Sequence, residues 1–138
     1  MAGRYRVAIL GCRARGRAVG WAYKEHPGTA IVALCDVDHG SHTAKSFEQW
    51  PKARQFRDFR RMFDEMEQQL DAVVVATPDH THAVAAMAAI ERGKHVYCEK
   101  PLAHPVHEVR QLMEAAQAHH VVTQLGNQGH SSDSIRTF

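Results

Sequence analysis

Short apolar runs alternate with helix-like segments along almost the whole of this sequence. Most runs are rich in Val, Ile, Leu or Ala, and each is followed by a stretch whose apolar residues recur every three or four positions. Strands that alternate with helices pair in parallel, because each helix carries the chain back to the edge where the strand began. The pattern therefore predicts an α/β fold with a doubly wound parallel sheet of about six strands. The predicted strands are 4–10, 30–35, 54–56, 71–76, 95–98 and 121–125.

One predicted strand is central, and the predicted helices lie between the strands. The run 72–76 holds only alanine and valine, which is typical of a strand buried on both faces. Helices are predicted at 15–24, 41–50, 58–67, 83–92 and from Pro105 onward, with Asp58 as an N-cap and Gly93 after the fourth helix. The residues predicted to face inward are Val19, Ala22 and Tyr23 on the first helix, Ala44 and Phe47 on the second, and Val106, Val109, Met113 and Ala116 on the last.

The composition limits the classes of partner. The chain has 138 residues, a length that suits one domain with its own core. Lysine and arginine total 17 against 15 for aspartate and glutamate, and a net charge of +2 does not indicate a nucleic-acid or membrane partner. No apolar run approaches the ~20 residues of a membrane span. Three widely spaced cysteines, Cys12, Cys35 and Cys98, argue against a disulfide framework and predict a reducing, cytoplasmic location.

A glycine-bounded turn follows the first predicted strand and opens the first predicted helix. Its sequence is Gly11-Cys12-Arg13-Ala14-Arg15-Gly16. Turns that bind the pyrophosphate of a dinucleotide carry glycine at the first, third and sixth positions. Gly11 and Gly16 match this pattern, whereas Arg13 replaces the middle glycine, which normally lets the backbone approach the phosphates. We expect the guanidinium of Arg13 or Arg15 to compensate in part for that loss.

An acidic residue, Asp36, ends the second predicted strand, about twenty residues after Gly16. A dinucleotide-binding sheet carries at this place the carboxylate that binds the ribose hydroxyls. The same carboxylate would repel a 2′-phosphate, so NAD is predicted over NADP. Taken alone, the two glycines are explained equally well by a tight strand-to-helix turn that binds no ligand, and Asp36 favours the dinucleotide.

Two further segments carry a more specific pattern. One is Ala76-Thr77-Pro78-Asp79-His80-Thr81-His82, after the fourth predicted strand. The other is 93–102, which contains the triplet Glu99-Lys100-Pro101. With the glycine turn and Asp36 in the same order, they resemble the N-terminal domain of the glucose–fructose oxidoreductase, inositol dehydrogenase and rhizopine-catabolism family (Gfo/Idh/MocA). The resemblance covers almost the whole chain and implies a Rossmann domain over residues 1–126.

The resemblance implies a nicotinamide dinucleotide and hydride transfer at a carbon of a sugar, cyclitol or related polyol. It implies that Lys100 is catalytic and lies near the nicotinamide and the substrate hydroxyl, where a lysine can stabilise a developing alkoxide. An exposed lysine beside Glu99 with no catalytic role is the alternative. The turn at Lys100 also makes the Lys100–Pro101 bond a candidate cis peptide. The other implied contacts are Thr77, Pro78 and His82 in the cofactor cleft, Glu99 beside the ribose, and Asn127 and Gln128 at the nicotinamide or substrate.

Members of that family also carry a second α/β domain, which holds the main substrate pocket. We interpret residues 127–138 as the start of the connection to such a domain and the chain as a truncated cofactor domain. Three functions stay open: a sugar or polyol oxidoreductase, a glycosidase of the same family that oxidises its substrate transiently, and a dinucleotide-binding module or sensor without catalysis. We expect little or no turnover by this chain alone, and self-association into a homo-oligomer through an apolar face at the sheet edge or last helix.

Eleven histidines are the unusual element of the composition. His80 and His82 lie two residues apart, and His104 and His107 lie three apart. The sequence contains no HExxH, CxxC or EF-hand pattern, and a zinc site needs three or four converging ligands. We therefore interpret the histidines as solvated loop and helix-end residues and predict no metal site. Cys12 is predicted to be a small residue of the turn rather than a nucleophile.

Overall fold

Six strands and six α-helices lie in residues 3–137, the part of the chain that the computed structural model describes. The strands are β1 (Tyr5–Leu10), β2 (Thr29–Cys35), β3 (Arg54–Phe56), β4 (Ala72–Val75), β5 (His95–Glu99) and β6 (Thr123–Gly126). The helices are α1 (Ala14–Glu25), α2 (Ser41–Gln49), α3 (Phe59–Met66), α4 (His82–Ile90), α5 (Val106–Ala118) and α6 (Asp133–Arg136).

The strands form one parallel sheet in the order β3-β2-β1-β4-β5-β6. From β1 the chain winds outward in one direction through β2 and β3, and then in the other through β4, β5 and β6. Leu10 at the end of β1 pairs with Cys35 on one side and with Val75 on the other, so the carboxyl ends are level. The predicted doubly wound parallel sheet is confirmed, and its direction reverses between β1 and β4, where such sheets bind ligands.

The sheet is buried on both faces, as the valine-rich run predicted. Val73 and Val75 of β4 belong to the apolar cluster formed with α3, α4 and α5. Val74 belongs to a second cluster on the opposite face, which includes Val19 of α1 and Trp50 after α2. Successive residues of a strand point to opposite faces, so a strand covered on both sides is apolar throughout.

The inner face of α1 differs from the prediction, because glycine forms part of it. Ala22 is exposed, whereas Gly16, Val19 and Gly20 are buried. A Cβ added at Gly20 would lie 2.6 Å from the Cδ1 atom of Ile9 in β1. Helix α1 therefore lies against the sheet at a distance that only glycine permits. An apolar periodicity cannot detect this contact, because glycine has no side chain to count.

The predicted inner faces of α2 and α5 are confirmed only in part: Phe47, Val109 and Ala116 pack against the apolar clusters. On α2 the fully buried side chains are those of Thr43 and Ser46, while Ala44 and Phe47 are only partly buried. On α5 the buried residue is Leu112. Val106 and Met113 are exposed, and so are Val122 and Leu125 beside and within β6. The expected exposed apolar face at the last long helix and the sheet edge is therefore present.

An ion pair joins the amino ends of β1 and β4. The Arg6 guanidinium donates from Nη2 to Oδ1 of Asp71 over 2.7 Å and from Nε to Oδ2 over 3.0 Å. The Asp71 carboxylate also accepts the backbone N–H of Arg6 over 2.7 Å. The side-chain hydrogen bonds from Arg6 lower the pKa of Asp71 from 3.8 to about 2.

At neutral pH, Asp71→Asn is expected to lower the free energy of unfolding by about 1 kcal/mol. The full pKa shift corresponds to about 2 kcal/mol, and partial exposure of the pair reduces it. Because the folded pKa is depressed, this contribution is complete above a pH of about 4 and is lost as the pH falls toward about 2. Urea unfolding of both proteins at several pH values measures the difference. A difference that stays constant down to a pH of about 2 would contradict the assignment.

Candidate functional site

The predicted site residues follow the strands at one edge of the sheet. Gly11 follows β1, Asp36 follows β2, Thr77 lies two residues after β4, Lys100 follows β5 and Asn127 follows β6. Since all the strands are parallel, these residues lie at the same carboxyl edge. This arrangement confirms the expectation that Gly11, Asp36, Thr77 and Lys100 share an edge. The crevice between the exits of β1 and β4 lies at its centre.

The two glycines of the turn are required by close backbone contacts. Gly11 has a φ of +85°, and a Cβ there would lie 2.4 Å from the carbonyl oxygen of Ala76. A Cβ at Gly16 would lie 1.7 Å from the carbonyl oxygen of Gly11. The first glycine thus lets the β1 turn approach the end of β4, and the second lets α1 begin directly against that turn.

The arginines of the turn point to opposite sides of α1. Arg13 has an ordinary φ of −77°, so its backbone does not need the missing glycine. Its guanidinium is 3.1 Å from the carboxylate of Asp38, on the β2 side. The Nε atom of Arg15 is 3.9 Å from the carboxylate of Glu99, on the β5 side. The first turn of α1 holds no acidic residue, and its free N–H groups and positive end can bind an anion between the two arginines.

The carboxylate of Asp36 is held by two backbone amides. Its Oδ2 atom accepts the N–H of Cys12 over 2.7 Å, and its Oδ1 atom accepts the N–H of Asp38 over 3.0 Å. These bonds tie the end of β2 to the glycine turn. A carboxylate can accept about four hydrogen bonds, so acceptor positions remain for a ligand that carries two neighbouring hydroxyls.

A cleft of about 280 Å³ opens beside Asp36. Sequence reasoning found Asp36, Thr77 and Pro78 in its wall but missed the apolar and cationic residues that complete it. Val37 lies two residues after β2 and is 80% exposed. Its position next to Asp36 near a strand end is the sequence signal that could have indicated a ligand contact. The mainly apolar space suits an aromatic base next to a ribose. The missed lining residues are Val37, Arg57, Phe59, His80 and Thr81.

Thr77 carries an unsatisfied polar atom at the mouth of this crevice. Its Oγ1 atom is buried, and no protein group within the described residues forms a hydrogen bond with it. Buried polar atoms in folded proteins nearly always have a partner. With the close glycine turn and the anchored Asp36, this free hydroxyl fits a site built around a polar ligand such as a dinucleotide.

Glu99 and Lys100 have different environments although they are neighbours. Lys100 is exposed, and the bond from it to Pro101 is cis. Glu99 is only 5% exposed, and its carboxylate accepts hydrogen bonds from the side-chain amide of Gln128 over 2.5 Å and from the hydroxyl of Tyr97 over 3.4 Å. The amide of Gln128 also lies 2.7 Å from the Tyr97 hydroxyl. Glu99 and Gln128 therefore bind each other.

His82 lies behind the crevice wall. Its imidazole is 1% exposed, and its two ring nitrogens face the backbone carbonyl oxygens of Thr77 and Pro101. His82 is predicted to line the cofactor cleft, and this stays a prediction; in the structure both of its ring nitrogens contact backbone carbonyl oxygens. Pro78 is exposed and lines the cleft.

The cysteines are buried and free. The Cys12 sulfur lies 3.6 Å from the carbonyl oxygen of Cys35, and burial raises the pKa of the Cys12 thiol far above its ordinary value. Burial also raises the pKa values of Cys35 and Cys98 to about 12. Thiols in this state are poor nucleophiles. Among residues 3–137, no group of three or more metal-ligating side chains comes together, and no helix is long and apolar enough to cross a membrane.

The sheet winds outward from β1, a glycine turn precedes α1, and an anchored acid follows β2. Together these features define the chain as a dinucleotide-binding Rossmann domain. More particularly, the chain belongs to the Gfo/Idh/MocA family. The model of that family, described as an oxidoreductase family with an NAD-binding Rossmann fold, matches residues 5–127. The predicted family, fold and NAD cofactor are thereby confirmed.

Curated relatives include dehydrogenases and a hydratase. The chain is 30% identical over 122 residues to 2,7-anhydro-N-acetylneuraminate hydratase of Mediterraneibacter gnavus, covering 87% of this chain and 30% of the relative. It is 42% identical over 76 residues to inositol 2-dehydrogenase 1 of Saccharopolyspora erythraea, and this match covers 55% of this chain and 22% of the relative. It is 40% identical over 102 residues to levoglucosan dehydrogenase of Pseudarthrobacter phenanthrenivorans, and this match covers 74% of this chain and 25% of the relative. The chain thus spans less than a third of these relatives.

Two solved structures also match nearly the whole of this chain with a minor part of their own length. An NAD-binding oxidoreductase from Klebsiella pneumoniae superposes with a TM-score of 0.82 at 28% identity, covering 98% of this chain and 37% of that one. GenD2 from gentamicin A biosynthesis, solved in complex with NAD, superposes with a TM-score of 0.86 at 26% identity, covering 96% and 37%. Both agree with the Rossmann architecture described above.

Proposed function

We propose that this chain is the NAD-binding part of an enzyme that transfers a hydride at a hydroxyl-bearing carbon of a sugar, cyclitol or related polyol. One observation carries the proposal. The carboxyl edge of the sheet carries three groups suited to this chemistry: the anchored Asp36, the unpartnered Thr77 hydroxyl and the exposed Lys100. The chain that forms this sheet belongs to an NAD-binding oxidoreductase family. The names of the inositol and levoglucosan dehydrogenases support the substrate class.

Each part of the crevice suits one part of the dinucleotide. The N-terminus of α1, with the turn 11–16, suits the pyrophosphate, because free N–H groups and the helix dipole favour an anion. Asp36 suits the ribose hydroxyls, and the cleft beside Val37 suits the adenine. We propose that the unpartnered Thr77 hydroxyl donates to a polar group of the cofactor. Asn127 and Gln128 follow β6 at the same edge, and Gln128 acts through the carboxylate of Glu99 that it binds.

Lys100 is the catalytic residue that we assign in this chain. A bound NAD would supply the hydride acceptor. The Lys100 ammonium donates a hydrogen bond to the substrate oxygen and stabilises the negative charge that develops there while the hydroxyl gives its proton to a base of the proposed further domain. Within residues 3–137 the Glu99 carboxylate contacts Gln128, Tyr97 and Arg15, and no hydrogen bond or ion pair joins it to Lys100.

The whole protein is proposed to contain a further domain that completes the substrate pocket. Residues 1–126 form the cofactor domain in this proposal, and residues 127–138 begin the connection. The curated relatives are about three to five times as long as the matched segment, since the chain covers 30%, 22% and 25% of them. We propose a cytoplasmic location, which is supported by three buried cysteines that form no disulfide with one another.

A second candidate is a reaction without net oxidation, in which the substrate is oxidised and reduced again around an elimination or hydration. The similarity to a protein named as a hydratase favours this candidate. It uses the same cofactor site and the same Lys100, and it differs in leaving no reduced cofactor at the end of each turnover. A binding module without catalysis is the third possibility, and it predicts NADH binding with no turnover in any form of the protein.

The 138-residue chain is expected to bind NADH but to produce no more than one equivalent of reduced cofactor with inositol, glucose or levoglucosan. This chain alone is proposed to form only the cofactor side of the substrate cleft. It therefore lacks the positioning of the substrate that can lower an activation barrier by about 7–11 kcal/mol. NADH fluorescence measures binding, and absorbance of the reduced nicotinamide measures turnover. Multiple turnovers by this chain would contradict the two-domain proposal, and absence of NADH binding would contradict the cofactor site.

Assays of the protein encoded by the full reading frame of the gene distinguish the three candidate functions. An oxidoreductase accumulates NADH with a polyol, a transiently oxidising enzyme converts substrate without accumulating it, and a binding module does neither. In either enzyme, Lys100→Met should lower turnover while NADH affinity changes little. Lys45→Met, which removes an exposed charge from α2, is the matched control and should change neither quantity.

A further inference from the structure

The imidazole of His82 joins two segments that the proposed site depends on. The Nδ1 atom lies 2.6 Å from the carbonyl oxygen of Pro101, and the Nε2 atom lies 2.8 Å from the carbonyl oxygen of Thr77. The first carbonyl belongs to the residue after Lys100, and the second to the residue that carries the unpartnered hydroxyl. The ring is 1% exposed, so solvent does not compete for either contact.

Both partners of the ring are acceptors, and this determines how many protons the ring needs. A carbonyl oxygen cannot donate a hydrogen bond. A neutral imidazole carries one N–H, so one of its two contacts would place a lone pair against a lone pair. An imidazolium carries two N–H groups and satisfies both oxygens. Charge-assisted hydrogen bonds are shorter than neutral ones, and both contacts of the ring are short, at 2.6 and 2.8 Å.

We propose that His82 is a positioning residue that clamps the loop after β4 to the loop after β5, with both ring nitrogens protonated. The clamp holds Lys100 and Thr77 in fixed positions along one wall of the crevice. Its consequence for cofactor affinity rests on the proposed function, whereas the protonation and the two hydrogen bonds do not. His82 touches no reacting atom in this proposal and acts only through the two backbone carbonyls.

The charged and titratable groups around the clamp do not replace it. Most of those on the adjoining segments are exposed or half-exposed, and the one buried group, Glu99, already binds Gln128 and Tyr97. Strand β4 contributes only alanine and valine. The two carbonyl oxygens are therefore the groups that the ring nitrogens contact, and the ring can donate to both only when each nitrogen carries a proton. The groups are Asp79 and His80 before α4, Glu99, Lys100 and His104 after or within β5, and His107 and Glu108 in α5.

Nitrogen-15 NMR of the histidine rings tests the protonation directly. In the 138-residue chain at a pH of about 6.5, we expect one imidazole with two slowly exchanging N–H signals and the nitrogen shifts of an imidazolium. Both signals should be absent in His82→Gln and present in His107→Gln, which removes an exposed histidine of α5. A single ring N–H for His82, with the other nitrogen showing the shift of an unprotonated ring nitrogen, would overturn the proposal.

Three substitutions separate the two halves of the clamp. His82→Asn keeps a donor near the Nδ1 position, His82→Gln keeps one near the Nε2 position, and His82→Leu keeps neither. Each lost hydrogen bond is expected to weaken NADH binding by about threefold and the loss of both by about tenfold, which corresponds to about 1.4 kcal/mol. NADH titrations at several pH values should also show a pH dependence in the wild type that is smaller in His82→Leu.

The outcomes distinguish the clamp from the cofactor site. If His82→Leu binds NADH as tightly as the wild type at every pH, the positioning role is overturned. If the wild type binds no NADH while the ring shows two N–H signals, the cofactor site fails and the clamp stands. If His82→Leu does not fold, the ring signals of the wild type and the affinities of the Asn and Gln variants decide the question.

Discussion

Gly11→Ala is expected to lower the free energy of unfolding by about 3–4 kcal/mol. The φ of +85° costs a residue with a Cβ about 1–2 kcal/mol, and overpacking against fixed atoms costs about 1–3 kcal/mol more. The atoms that the new methyl would meet are backbone: the carbonyl oxygen of Ala76 at 2.4 Å and the nitrogen of Thr77 at 2.7 Å. Backbone at the end of a central strand cannot move aside as a flexible side chain can.

Gly93→Ala is the matched control for this prediction. Gly93 also has a positive φ, +68°, but a Cβ there would meet nothing within 4 Å. It should therefore lose only the conformational part, about 1–2 kcal/mol. Urea unfolding followed by circular dichroism measures both variants. Equal losses would show that the close approach of the β1 turn to β4 contributes nothing to stability.

The second large effect is expected at Asp36, where the wild type should bind NAD more than about tenfold tighter than NADP. Two unit charges about 4 Å apart at an effective dielectric of about 20 repel by about 4 kcal/mol, and half of that already exceeds tenfold. Asp36→Ala should weaken NAD binding by about 100-fold, because two charge-assisted hydrogen bonds of about 1.5 kcal/mol each are lost. The turn also loses its tie to β2, since Asp36 binds the N–H groups of Cys12 and Asp38.

The same substitution should remove the preference between the two cofactors. With Asp36 absent, we expect the guanidinium of Arg13, which lies 3.1 Å from Asp38 on the β2 side, to attract a 2′-phosphate. Isothermal titration with both cofactors at neutral pH measures the four affinities. Glu114→Gln, which removes an exposed charge from α5, should leave all of them unchanged. Equal affinity of the wild type for NAD and NADP would mean that Asp36 does not contact the ribose.

The sequence predicted the sheet and the edge that carries the site, because both have local signals. The valine run of β4 marks a strand covered on two faces, and the glycines at 11 and 16 mark a turn that α1 must approach closely. Asp36 and Lys100 each stand directly after a strand. Once the strands are parallel, the position of a residue at a strand end determines its edge. The fold class and the edge that carries the site therefore followed from the order of residues along the chain, whereas Val37, Arg57 and Phe59 in the cleft wall did not.

The partners of those residues were decided only by the tertiary structure. Glu99 binds Gln128 across 29 positions, Arg13 pairs with Asp38 across 25, and the His82 ring reaches the carbonyl of Pro101 across 19. None of these pairs has a spacing that a helix or strand would bring together by itself. They meet because strand order and register bring distant loops to one edge, and because α1 lies close enough to the sheet for Gly20 to contact Ile9. Residue types along the chain carry chemistry and periodicity, but the distance between two loops depends on how the whole sheet is assembled.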